Sequence, residues 1–117
     1  MLIKVSELTK YFGISPKTIL HIGAHTAEEK SDYEINGWGQ LGIIWVEAQE
    51  DLCETIPIRQ KTNDKVLNCL AWNKNGQDLK FKITNNGQSS SILDFGTHKQ
   101  TYQNVNFIAE TTLKSVR

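Results

Sequence analysis

Residues 19–29 read I-L-H-I-G-A-H-T-A-E-E. A short apolar run from Ile19 to Ile22 stops on Gly23, passes through small residues and restarts with two acids, Glu28 and Glu29. The run is strand-like, and the acids suit the first turn of a helix, where the macrodipole favours negative charge. A glycine at that corner has two readings. Either the backbone must come close to a ligand, or the βα turn is tight with nothing bound.

The chain on either side extends the pattern. "HTAEEKSDYEING" (25–37) predicts a helix ending at Asn36-Gly37. "LGIIWVEA" (41–48) predicts a second strand whose unbroken run, Ile43 to Val46, belongs to a parallel sheet covered on both faces. "EDLCETIPIRQKT" (50–62) starts as a helix that Pro57 should kink or end. "KVLNCLAW" (65–72) is a third strand. Residues 18–72 therefore form a βαβαβ unit with right-handed crossovers. Upstream, within residues 1–13, Ile3, Val5, Leu8, Tyr11 and Phe12 fall at near-helical spacing, with Ser6 and Glu7 as the opening and Gly13 as the stop. Over residues 78–117 the pattern changes. "DLKFKIT" alternates apolar and polar as a half-buried strand, "NNGQSSS" is a polar loop, and "NVNFIAETTLKSV" is extended, which predicts hairpin strands after the third parallel strand. The fold class is α/β and Rossmann-like, as one domain over 1–117.

Composition narrows the functions. The 117 residues carry 13 basic and 13 acidic side chains, a balance that steers the chain toward neither nucleic acid nor an anionic membrane. No apolar run approaches the roughly 18 residues of a membrane span. The N-terminus lacks the apolar core and cleavage site of a signal peptide, so a cytoplasmic location is expected. Cys53 and Cys69 are far apart, without CxxC spacing and in apolar patterns, as expected of buried free thiols. No histidine has partners at metal-ligand spacing, so no metal is expected.

In open α/β sheets, ligands bind beyond the carboxyl ends of the strands. The first end is Gly23-Ala24-His25-Thr26, where small residues admit a ligand and free helix N–H groups face negative charge. The second is Glu47, 24 positions after Gly23, a carboxylate suited to the two hydroxyls of a ribose or else a solvated loop acid. The third is Ala71-Trp72, which borders a flat ring or packs at a sheet edge. Together they suit a nucleoside-containing cofactor. A nicotinamide dinucleotide needs G-x-G-x-x-G, whereas this chain has G-A-H-T-A-E, with one glycine of the three and an acid where pyrophosphate would lie. S-adenosylmethionine has no phosphate and tolerates a looser turn.

"ILHIGAHTAEE", "GWGQLGIIWVEAQEDLCE" and "VLNCLAWNKNGQDLKFKITNNGQSSSILDFGTH", in this order and spacing, resemble the FkbM-type S-adenosylmethionine-dependent methyltransferases over about residues 14–117. The resemblance implies a class I methyltransferase fold and O-methyl transfer to a sugar or other small hydroxylated acceptor. It implies that Gly23, Ala24, His25 and Thr26 line the methionine side of the cofactor. Glu47, with Ala48 beside it, would hold the ribose, Ala71 and Trp72 would lie near the adenine, and Asn86, Ser89 and Ser90 would lie over the acceptor mouth. The family's motif usually has glycine where this chain has Ala27. Its next acidic segment, D-x-x-K-I-D-x-E-G in outline, does not follow "ETTLKSVR", so the chain is expected to be an N-terminal portion of the domain. A sheet cut there has an open edge, which a second copy or a partner chain would cover. His25 and His98 are candidate bases, but neither has a partner visible in the sequence, so the catalytic residue is unknown. The rival function is a non-catalytic, methyltransferase-like interaction module.

Overall fold

The computed structural model describes residues 3–60, 64–84, 90 and 107–116. It divides into two units, residues 1–68 and 69–117.

The first unit holds helix α1 (Val5–Phe12), strand β1 (Thr18–Ile22), helix α2 (Lys30–Ile35), strand β2 (Gly42–Glu47), helix α3 (Glu50–Gln60) and strand β3 (Lys65–Asn68). The three strands form a parallel sheet in the order β1-β2-β3, with Leu20 opposite Ile44 and Val46 opposite Leu67. This is the parallel α/β arrangement expected from the alternation of apolar runs and helical segments. Side chains alternate across the sheet. One face supplies Ile43 and Trp45 to a core with Ala24, Ala27 and Ile56, flanked by Ile19, Tyr33 and Val66. Burying side chains as large as Ile43, Trp45 and Ile56 contributes about 1.5–3 kcal/mol each. On the other face Leu20, Ile22 and Leu67 are exposed. The expectation of a sheet covered on both faces therefore holds for one face among the described residues.

Local boundaries differ from the sequence reading for physical reasons. Helix α1 begins at Val5, one residue before Ser6, because Glu7 Oε2 accepts the Lys4 N–H at 3.2 Å. Gly13 stops it in the left-handed region, φ 61°. Helix α2 ends where Asn36-Gly37 predicts, with Gly37 at φ 81°, but starts only at Lys30. Residues 25–29 are turn, because His25 and Ala27 sit at φ 51° and 57°, values no α-helix accommodates. Helix α3 runs through exposed Pro57 to Gln60, so the proline does not end it. Burial of Ile56 and Cys53 holds that helix and offsets the proline's missing N–H.

The second unit holds β4 (Leu70–Ala71), β5 (Asp78–Thr84) and β6 (Phe107–Val116) in the order β4-β6-β5. Strands β5 and β6 pair antiparallel, as the alternation predicts, while β4 pairs parallel to β6. The predicted third strand, 65–72, is thus two strands in two sheets, broken at Cys69. Buried Ser115 ties the connecting turn. Its Oγ donates to the Lys74 carbonyl at 2.6 Å and accepts the Gln77 N–H at 3.0 Å.

Candidate functional site

The site is the carboxyl end of the parallel sheet, where β1 runs into the 23–29 turn and β2 ends on Glu47. The chain must reverse sharply after Ile22, and Gly23 at φ 81° permits this. The N–H groups of Gly23 and Ala24 both donate to the Val46 carbonyl, at 2.9 and 3.0 Å. The next amide, His25 N–H, donates to Glu47 Oε2 at 2.7 Å, and Gln49 N–H donates to Glu47 Oε1 at 2.9 Å. The Ala27 N–H closes a turn on the Ala24 carbonyl at 2.7 Å.

This corrects one expectation. The amides of Gly23, Ala24, His25 and Ala27 are bonded within the chain, so they are not free donors for a ligand anion. Of these amides only that of His25 faces an anion, the chain's own Glu47 carboxylate. Glu47 is buried at 7 % exposure and is not a solvated loop acid.

Three residues that the sequence reading did not place at the site fix the end of β2. Asn68 Nδ2 donates to the carbonyls of Glu47 and Ala48, at 3.0 and 2.9 Å. Buried Cys53 donates its thiol to the Glu47 carbonyl at 3.3 Å. Gln49 supplies the amide above. Cys53 is buried and Cys69 half-buried. Glu47's four lone-pair sites hold two amide bonds from the chain, leaving acceptor capacity for hydroxyls.

The turn also carries a polar cluster. His25 Nδ1 lies 3.1 Å from Glu28 Oε1, and the Thr26 hydroxyl donates to the same oxygen at 3.1 Å. Beneath it, on the core face, His21 Nδ1 lies 2.7 Å from the Tyr33 hydroxyl, with Glu29 at 3.8 Å from Nε2 and Trp45 at 5.0 Å between ring centroids. Burial, reinforced by Glu29 and Asp32, pushes the Tyr33 hydroxyl above its ordinary value of 10.0. At the amino end of β3, Asp64 Oδ2 accepts from Lys30 Nζ at 2.8 Å and Trp45 Nε1 at 3.1 Å.

Of the residues named from sequence, Gly23, Ala24, His25, Thr26, Glu47 and Ala48 come together here. Ala71 and Trp72 belong to the second unit, where Ala71 pairs with Val116 and the Trp72 N–H donates to the Val116 carbonyl at 2.8 Å. Ser90 accepts the Thr84 N–H on its Oγ at 3.1 Å. Asn86, Ser89 and His98 lie outside the described residues.

A cofactor needs room at Gly23, and a Cβ built there would meet no atom within 4 Å. The open cradle and the spare acceptor capacity of Glu47 are compatible with a nucleoside. No group of three or more His, Cys, Asp and Glu side chains gathers to hold a metal among the described residues. No helix among them is long and apolar enough to cross a membrane. Comparison of the chain with family models, curated proteins and solved structures finds no match.

Proposed function

We propose that this chain carries the S-adenosylmethionine-binding unit of a methyltransferase, acting on a hydroxyl of a sugar or other small acceptor. The observation that carries the reading is the joining of the Gly23 turn to Glu47. An open backbone cradle at the end of one parallel strand is locked to a carboxylate at the end of its neighbour. That is the placement a ribose and an amino-acid moiety require at the carboxyl edge of an open sheet. The resemblance of "HIGAH", "VEA" and "NNGQSSS" to the FkbM-type enzymes agrees with it. When bound, S-adenosylmethionine supplies an electrophilic methyl group. The chain's own part is to hold and align, which is most of what a displacement at a sulfonium methyl needs.

Calorimetric titration with S-adenosylhomocysteine tests the reading. Micromolar binding is expected. Gly23→Ala places a methyl group in the cradle at an unfavourable φ, and should weaken affinity at least about tenfold, or roughly 1.4 kcal/mol. Absence of heat from a chain shown to be folded by circular dichroism refutes cofactor binding. The second reading is a non-catalytic interaction module, favoured by the exposed apolar sheet face of Leu20, Ile22 and Leu67.

A further inference from the structure

We propose that His25, oriented by Glu28, is the general base of this site, and that the acceptor is therefore an unactivated hydroxyl rather than an already acidic group. The inference rests on the methyl-transfer reading. A carboxylate is acceptor-only, so the 3.1 Å contact between His25 Nδ1 and Glu28 Oε1 puts the ring proton on Nδ1. Nε2 then keeps its lone pair, and no group among the described residues bonds it. The Thr26 hydroxyl donates to the same Glu28 oxygen and steadies it. The main chain is held as well, since the His25 N–H is bonded to Glu47 at 2.7 Å. The ring is about one-quarter exposed, 27 %, so it is anchored and reachable. His21 differs, with Nδ1 on Tyr33, Nε2 facing Glu29 and only 18 % exposure. A carboxylate that fixes a histidine tautomer and stabilises the imidazolium is the arrangement general-base catalysis uses.

The step balances. The acceptor oxygen forms a bond to the methyl carbon while the carbon–sulfur electron pair goes to sulfur, leaving a neutral thioether. The hydroxyl proton passes to His25 Nε2, and the resulting imidazolium faces Glu28. An acceptor that is already ionised would need no such base.

Two readouts on the 117-residue chain test this without turnover. Ring 15N shifts at pH 8 should show His25 protonated on Nδ1, and Glu28→Ala should move it toward the Nε2-protonated form. Diethyl pyrocarbonate should modify His25, and S-adenosylhomocysteine at ten times its Kd should slow that reaction roughly tenfold. His25→Asn, which tolerates positive φ, identifies the protected site by abolishing it. Binding of S-adenosylhomocysteine without protection of His25, or with Nδ1 unprotonated, overturns the base assignment and leaves the cofactor reading standing. Failure to bind overturns both.

Discussion

Ala27 combines a left-handed backbone, φ 57°, with a completely buried methyl group. Glycine at this position would relieve about 1–2 kcal/mol of left-handed strain. It would also lose a buried methyl worth about 0.8 kcal/mol and add about 0.5–1 kcal/mol of unfolded-state entropy. The terms nearly cancel, so alanine is tolerated at this left-handed position. Ala27→Gly should therefore change unfolding free energy by less than about 1 kcal/mol, whereas Ala27→Val adds overpacking of about 1–3 kcal/mol and a β-branched residue at positive φ. Urea denaturation of the two variants separates them. Tyr33 gives a pH test. Its folded pKa is raised above the unfolded 10.0, so the fold holds the proton more tightly. Its contribution is complete below pH 10 and is lost as pH rises past 10 through the folded value. Wild-type stability should fall more steeply than that of Tyr33→Phe between pH 9 and 11, and parallel curves would refute the link. At pH 8 the same variant should lose about 1 kcal/mol with the bond to His21.

Asp64, just before β3, joins two elements by accepting from Lys30 on α2 and Trp45 on β2. Both members of the ion pair are 9 % exposed, so the two charges are paired away from water. Asp64→Ala strands the Lys30 ammonium and should cost about 3–5 kcal/mol. Adding Lys30→Met should recover part of that loss, leaving the unsatisfied Trp45 indole, and thermal denaturation of the single and double variants gives the coupling directly. The sequence made β1, β2 and the end of α2 legible because apolar runs and Asn36-Gly37 are local signals. It did not show the late start of α2, because Glu47, twenty-two residues beyond His25, draws the turn's amide away from helical bonding. It did not show the break at Cys69, because Val66, Leu67, Leu70 and Ala71 form one apolar pattern whichever strands they join. At the site, residue types pointed to Gly23 and Glu47. The Asn68 contacts arise only when strand ends meet in three dimensions, and the local contacts of Glu28 and Gln49 depend on the turns that follow β1 and β2.

At the scale of the whole molecule, the first unit has helices against one sheet face and leaves apolar side chains on the other. Leu20 and Ile22 are 60 % and 61 % exposed, and Leu67 is 47 % exposed. Parallel sheets are stable with both faces covered. Among the described residues β1 is also an edge, paired only with β2, so it carries main-chain groups able to receive another strand. An edge of this kind beside exposed leucine and isoleucine favours association of one copy with another. The expected result is a light-scattering mass that rises with concentration, and binding of a hydrophobic dye that falls as the mass rises. Ile22→Lys places a charge on the edge strand's exposed face, where it is well solvated in the monomer and desolvated in a paired sheet. That single change should shift the mass toward the monomer while leaving the core residues Ile43, Trp45 and Ile56 untouched. A wild-type chain that stays monomeric across the whole concentration range, with no dye binding, would show that this face is satisfied without a second copy.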